Sequence, residues 1–220
     1  MYFECKKCGA QNRSIAKHCK KCGTAISGTN KNILDEIVGR DEIKTCLREL
    51  VQSIGQFKKG WNSSKRFNMN MILLGSTGTG KTTLPNFICK YLFDNNIVSR
   101  DKDTLIDASG FDKYIENSED NFKEGKGGVI FIDNIHKLLP GPDNSDSLTS
   151  IDNFIYEIDR FGNDPIVIIA GEKNILEDYI NTHPSFKSRF EYCFRLNDFT
   201  SSELYSICKN KLDVYGLSLN

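Results

Sequence analysis

Eight consecutive residues that follow a short apolar run have the composition of a phosphate-binding loop. They are Gly75, Ser76, Thr77, Gly78, Thr79, Gly80, Lys81 and Thr82, which match the Walker A pattern Gly-x-x-x-x-Gly-Lys-Thr. Glycines let the backbone approach a triphosphate closely, and the free N–H groups of a following helix favour an anion. We expect this loop and Thr83 to bind a nucleotide, with Lys81 on the β- and γ-phosphates and the Thr82 hydroxyl on Mg²⁺. The alternative is a chance match, and the order of strand, motif and helix argues against it.

The second part of such a site is an acidic residue at the end of a buried strand. The run Gly127-Gly128-Val129-Ile130-Phe131-Ile132-Asp133 has this form and lies downstream of the loop. It predicts that Asp133 is the carboxylate on the magnesium side, as in a Walker B segment. A purely structural aspartate at a strand end is the alternative.

The residue after Asp133 bears directly on catalysis. Asn134 can hydrogen-bond a water molecule, but its amide cannot accept the proton of that water as a base. Nucleotide binding is therefore expected, whereas hydrolysis is left open at this stage. His136 is a substitute base, and the commoner alternative is a histidine on the surface of a loop or helix.

Two Cys-x-x-Cys pairs near the N-terminus predict a metal site. Cys5, Cys8, Cys19 and Cys22 supply four thiolates, which is the ligand set of a closed tetrahedral zinc site. His18 is an alternative ligand, and an iron centre or redox-active disulfides are alternative chemistries. Because this segment has few large apolar residues, metal binding would supply its folding energy. We prefer a protein-docking role for it; nucleic-acid binding by its lysines, or lysines that are only solvated, remain open.

Composition and charge narrow the class of protein. The chain has 220 residues, 39% of them hydrophobic and 26% charged, which is normal for a globular protein. Lys+Arg and Asp+Glu both number 29, so overall charge gives no case for nucleic acid or an anionic membrane as partner. No apolar run reaches the roughly 18 residues of a membrane helix, and the N-terminus lacks a signal-peptide pattern, so we expect a cytoplasmic protein. The remaining cysteines are expected to be reduced core residues: Cys46, Cys89, Cys193 and Cys208.

The elements that must position these residues alternate between helix and strand. Helical spacing begins at Asp41, and a capping box, Thr200-Ser201-Ser202-Glu203, opens a last helix. Helices are also expected over 82–93 and 151–161, and strands over 69–74, 104–107, 129–133, 166–170 and 192–196. Near-continuous apolar strands between helices predict an α/β fold whose parallel sheet is covered on both faces. We expect a zinc ribbon over 1–26, a linker over 27–33, a nucleotide-binding core over 34–197 and the start of a helical lid over 198–220.

Several of these segments together resemble the CbxX/CfxQ branch of the AAA+ ATPases, which includes red-type Rubisco activases and the stage V sporulation protein K group. The resemblance covers about residues 37–217. Besides the two motifs above, it rests on Ile37-Val38-Gly39, Ile168-Ile169-Ala170-Gly171 and Pro184-Ser185-Phe186-Lys187-Ser188-Arg189-Phe190.

The resemblance implies a P-loop NTPase that binds ATP and Mg²⁺ and assembles with its own copies into a ring, commonly a hexamer. It implies that Arg189 acts as an arginine finger on the γ-phosphate of a neighbouring subunit, the alternative being a surface or salt-bridge arginine. It likewise makes Tyr114 a candidate pore-loop residue that grips a polypeptide, the alternative being a packed surface tyrosine.

The chain also departs from the family pattern. Asn134 stands where the family usually has a glutamate, Gly171-Glu172 offers no clear polar sensor, and the lid is expected to be incomplete, without its usual arginine. The leading hypothesis is an ATP-driven remodeller of a protein partner recruited through the zinc ribbon. A nucleotide-gated scaffold with little hydrolysis is the second hypothesis, and a zinc-ribbon nucleic-acid adaptor is the third and less favoured one.

Overall fold

A five-stranded parallel sheet forms the centre of the protein in a computed structural model. The structure describes residues 2–5, 8–13, 19–23, 32–60, 67–108, 118–139 and 147–217. In the described residues the strands of this sheet lie side by side in the order Thr104–Asp107, Val129–Asp133, Ile166–Gly171, Met71–Gly75 and Tyr192–Leu196, and all neighbouring strands run parallel. The expected α/β fold with a parallel sheet is therefore confirmed.

The elements follow one another with an alternation of strand and helix. The strands are β1 (Tyr2–Glu4), β2 (Gln11–Arg13), β3 (Met71–Gly75), β4 (Thr104–Asp107), β5 (Val129–Asp133), β6 (Ile166–Gly171) and β7 (Tyr192–Leu196). The α-helices are α1 (Asp41–Gly60), α2 (Leu84–Asp94), α3 (Ser118–Gly125), α4 (Ser147–Phe161), α5 (Lys173–Thr182), α6 (Pro184–Lys187) and α7 (Ser201–Val214). Short 3-10 helices cover Ile33–Glu36 and Ile135–Leu138.

Alternate residues of the central strands face two separate apolar layers. In β3, Met71 and Leu73 pack with α1 and α2 on one face, whereas Ile72 and Leu74 pack with α3, α4 and α5 on the other. Successive side chains of a strand point to opposite faces, so a strand that is apolar at every position must be covered by helices on both faces of the sheet. The near-continuous apolar runs in the sequence have this cause.

The first strand of the large sheet begins two residues later than the sequence predicts. Asn70 is 1% exposed, and its side chain completes the hydrogen bonding at this point. Its Oδ1 accepts from the backbone N–H of Val167 at 2.8 Å, and its Nδ2 donates to the carbonyl of Arg189 at 3.0 Å. The Asn70 side chain thus joins the start of β3 to β6 and to the turn before β7. It does so just before Met71, where the backbone pairing of β3 begins.

The N-terminal strands form a second, separate sheet. β1 pairs with β2 antiparallel, with Phe3 opposite Asn12. A two-stranded sheet of this size is not stable in water by itself. The predicted limits of this segment and of the linker after it stay predictions.

The last helix begins as the sequence predicts. The Thr200 hydroxyl accepts from the Glu203 N–H, and the Glu203 carboxylate accepts from the Thr200 N–H at 2.8 Å, which completes the capping box. The expectation for Cys208 is wrong, because it lies exposed on α7 and not in the core. Within the described residues, no helix combines the length and apolarity that crossing a bilayer requires.

We expect Asn70→Ala to lower the free energy of unfolding by about 1–3 kcal/mol, because the buried N–H of Val167 loses its acceptor. Urea unfolding followed by fluorescence measures the change. Asn210→Ala, at an exposed position of α7, is the control and should leave the midpoint within error. Equal midpoints for the two variants would show that the Asn70 amide contributes nothing.

Candidate nucleotide and metal sites

The glycine-rich loop leaves β3 in a conformation that requires glycine. Gly78 and Gly80 have φ of 87° and 84°. At Gly75 a Cβ would lie 2.6 Å from the Thr79 hydroxyl and 3.0 Å from the carbonyl of Leu196. The buried Thr79 hydroxyl donates to the Ser76 carbonyl at 2.8 Å and closes the loop on itself. The backbone at Gly75, Gly78 and Gly80 is therefore free of side-chain bulk, which lets phosphate oxygens approach it.

Lys81 lies inside this loop. Its ammonium donates to the carbonyls of Gly75 at 2.7 Å and Ser76 at 2.6 Å. Burial lowers the pKa of Lys81, and the charges of Asp133 and Glu172 oppose that shift. A partly desolvated cation at the base of a loop of amide groups is a strong partner for phosphate oxygens.

The Walker B aspartate meets the loop through Thr82. The Thr82 hydroxyl donates to Asp133 Oδ2 at 2.7 Å, although β6 lies between β5, which ends in Asp133, and β3, which leads into the loop. A hydroxyl and a carboxylate are hard oxygen ligands, and Mg²⁺ binds through few protein oxygens while keeping waters and phosphate oxygens. The chemistry of this pair fits a magnesium site, in which Thr82 would be a direct ligand and the Asp133 carboxylate would orient the ion.

Asn134 links this pair to a residue that the sequence reasoning missed. Its backbone is left-handed, with φ 57° and ψ 32°, a conformation that asparagine tolerates. Its N–H donates to Asp133 Oδ1 at 2.8 Å, and its Nδ2 donates to Asp107 Oδ1 at 3.2 Å. Asp107 ends β4 and stands in register with Asp133 at the end of β5. The signal was present in the sequence, since a second apolar strand also ends in aspartate.

His136 is held beside the site by the end of β6. Its Nδ1 accepts from the Glu172 N–H at 3.2 Å, and burial lowers its pKa. An accepting Nδ1 places the ring proton on Nε2 of a neutral imidazole. The ring therefore anchors the backbone at Gly171 and Glu172. The Nδ1 lone pair that a base would use already accepts a backbone hydrogen bond.

Arg40 is a further contact of the loop that the sequence reasoning missed. Its guanidinium donates to the carbonyl of Thr79 at 2.8 Å and to that of Asn197 at 2.9 Å, and it lies 4.2 Å from the centre of the Phe199 ring. Arg40 has φ 61°. No spacing pattern in the sequence marks this residue, because its partners lie far along the chain.

Arg189 forms an ion pair within its own chain. Its Nε and Nη2 donate to the two carboxylate oxygens of Asp159 at 3.1 and 2.7 Å, and its Nη1 donates to the Ser185 carbonyl. Asp159 raises the pKa of Arg189. This geometry favours the salt-bridge alternative in an isolated chain, and the arginine-finger role stays a prediction. Tyr114 and His18 lie outside the described residues.

The four N-terminal cysteines converge on one point. Among the described residues, Cys5, Cys8, Cys19 and Cys22 form a group whose sulfur atoms all lie within 4.8 Å of one another. Sulfur separations of 3.8 Å (Cys5–Cys22) and 3.4 Å (Cys8–Cys19) compare with about 3.8 Å for tetrahedral zinc–sulfur bonds of about 2.3 Å.

The pKa values of two thiols in this cluster shift in opposite directions. A backbone hydrogen bond at Ala10 opposes the shift of Cys8, but burial and hydrogen bonds with the other three cysteines raise the pKa of its thiol to about 12. Hydrogen bonds from the N–H groups of Cys22 and Lys21 lower the pKa of the Cys19 thiol to about 6. The thiolate is the form of cysteine that binds metals. The cluster therefore fits a metal ion by ligand type and distance.

The loop, the sheet order and the Thr82–Asp133 contact define a P-loop nucleotide-binding fold. The sequence matches the ATPase family associated with various cellular activities (AAA) over residues 71–197, and the chain belongs to this family. ATP and Mg²⁺ are the nucleotide and the cation that membership implies.

Known relatives agree with the resemblance inferred from the motifs. The chain is 27% identical over 191 residues to "Stage V sporulation protein K" of Bacillus subtilis (strain 168), covering 82% of this chain and 58% of the relative. It is 27% identical over 186 residues to "Ribulose bisphosphate carboxylase/oxygenase activase, chloroplastic" of Cyanidioschyzon merolae (strain NIES-3377 / 10D), covering 79% and 62%. The chain thus spans about 60% of the length of these curated relatives.

A solved structure shows the same fold. The "FIGL-1 AAA domain in complex with ADP" superposes with a TM-score of 0.56 at 17% identity, covering 86% of this chain and 69% of that one. At this identity the likeness concerns the fold alone.

We expect Lys81→Ala to weaken binding of a fluorescent ATP analogue with Mg²⁺ at least about tenfold, because each charge-assisted hydrogen bond to phosphate contributes about 1.5–3 kcal/mol. Fluorescence titration measures the dissociation constant. The control is Lys90→Ala, on the exposed face of α2, which should bind as the unchanged protein does. Equal affinity of the two variants would exclude Lys81 from the phosphate site.

Proposed function

We propose that this protein binds and hydrolyses ATP and uses the energy to remodel a protein partner. The observation that carries the proposal is the contact of Thr82 with Asp133, 2.7 Å across the sheet, beside the cation of Lys81. It supports a site in which one triphosphate and its Mg²⁺ would contact the loop, the threonine and the aspartate at once.

Protein remodelling is supported by the relatives. One of them is named an activase of ribulose bisphosphate carboxylase/oxygenase, which is itself a protein. We propose a homo-oligomeric ring for this chain because its AAA family resemblance implies one. In that ring Arg189 would have to leave Asp159 to reach a neighbouring nucleotide. We also propose the cytoplasm as its location.

A nucleotide-gated scaffold with little hydrolysis is the second candidate. The residue that favours it is Asn134, since an amide cannot accept a proton from the attacking water. In such a protein the bound nucleotide would switch assembly and would turn over slowly.

Phosphate release at saturating ATP and Mg²⁺ separates the two candidates. We expect measurable turnover by the purified chain, and its loss in Lys81→Ala, with Lys90→Ala as the matched control. A chain that binds nucleotide but releases no phosphate would reject remodelling by hydrolysis and favour the scaffold. Turnover that persists in Lys81→Ala would point to a contaminating ATPase.

We further propose that the N-terminal cysteines hold zinc and that this ribbon recruits the partner. Four sulfur atoms within 4.8 Å of one another support the metal, and the small antiparallel sheet of β1 and β2 supports a metal-dependent fold.

Metal analysis of the purified protein should find about one equivalent of zinc per chain. We expect Cys19→Ser to lose it, because serine replaces a thiolate ligand with a hydroxyl. The control is Cys208→Ser, at an exposed position of α7, which should keep its zinc. Iron in place of zinc, or no metal, would contradict the proposal.

A further inference from the structure

The carboxylate that Asn134 lacks is present on the neighbouring strand. Asp107 and Asp133 end β4 and β5 in register, and the N–H of Ala108 donates to the Asp133 carbonyl at 3.0 Å, which pairs the chain just beyond both residues. Paired residues of neighbouring parallel strands project to the same face, about 4.8 Å apart. The carboxylate of Asp107 therefore lies about one strand spacing from that of Asp133.

The left-handed turn at Asn134 connects these two carboxylates. Its backbone N–H binds Asp133 Oδ1, and its Nδ2 binds Asp107 Oδ1 at 3.2 Å. An amide that donates to a carboxylate oxygen fixes the orientation of that carboxylate. Asn134 thus positions Asp107 beside the place where Asp133 and Thr82 meet.

From this geometry we infer that Asp107 is the general base of ATP hydrolysis, with Asn134 as its positioning residue. The inference rests on the proposed function, since it assigns a step of that reaction. Asp107 takes one proton from the attacking water while the water oxygen bonds to the γ-phosphorus. The bond from that phosphorus to the β,γ-bridging oxygen breaks, and its electron pair leaves with ADP. Asp107 then releases the proton to solvent, and the products are ADP and inorganic phosphate.

The rival carboxylate is Glu172, at the end of β6. Its charge acts on both Lys81 and His136, so it also lies near the phosphate end of the site. Asp107 has two features that tie it to the magnesium side, namely the register with Asp133 and the hydrogen bond from Asn134. Glu172 instead contributes its N–H to the His136 ring.

The test compares Asp107→Asn, Asn134→Ala and Glu172→Gln in steady-state phosphate release, with the dissociation constant of a fluorescent ATP analogue measured for each variant. Asp107→Asn should lower kcat about 100-fold or more, within the range of general-base catalysis, and leave nucleotide affinity within about twofold. Asn134→Ala removes the hydrogen bond but keeps the carboxylate, so its kcat should fall less than about tenfold. Asp101→Asn, in the exposed bend before β4, is the matched control and should match the unchanged protein.

The pH profile separates a base from a structural carboxylate. In the unchanged protein kcat should fall with the uptake of one proton as pH drops through the pKa of the base. The residual kcat of Asp107→Asn should not show this decrease at low pH.

Each contrary result has its own meaning. Full turnover in Asp107→Asn, an equal loss in Asn134→Ala, or a loss confined to Glu172→Gln would overturn the assignment while the ATPase proposal stands. Absence of turnover in the unchanged protein with nucleotide bound would overturn both.

Discussion

All five strands of the large sheet end at one edge, and the site depends on this constraint. β3 brings the glycine loop there, β5 brings Asp133 and β4 brings Asp107, while β6 lies between the loop and the aspartates. The chain reaches the edge strand β4 after β3 and then returns through β5 and β6, so the strand order reverses beside β3. Open α/β sheets bind ligands in the crevice at such a reversal. The Thr82–Asp133 hydrogen bond spans that crevice, because it joins the end of the loop to the end of β5.

Local patterns were sufficient for the sheet and for most of the loop. Strands 104–107, 129–133 and 192–196 begin and end as their sequence patterns predict. In β5 every residue is buried, and burial on two faces requires apolar residues along most of the strand. The start of β3 was placed too early, since a buried asparagine in an apolar stretch continues the hydrogen bonding through its side chain. When a side-chain amide takes the place of a backbone hydrogen-bonding group in this way, the hydrophobic pattern of the sequence does not show it.

Long-range partners account for the parts of the site that the sequence did not reveal. The family resemblance of the segment around it makes Arg189 a candidate, but its bidentate partner Asp159 lies 30 residues away on α4. Arg40 and the carbonyl of Asn197 are 157 residues apart. Asp107 differs from both, because two strands that each end in aspartate within one parallel sheet already predict neighbouring carboxylates.

The position of Asp107 also affects how easily a sequence can change there. β4 pairs with β5 and lies at the edge of the described sheet, and the Asp107 side chain is exposed. Substitutions outside a packed core usually change stability by no more than about 0.5 kcal/mol. Left-handed residue 134 accepts asparagine or aspartate with little strain. An exchange of amide and carboxylate between positions 107 and 134 would therefore leave the fold undisturbed, so this fold has two strand ends from which the proposed general base could reach the same water.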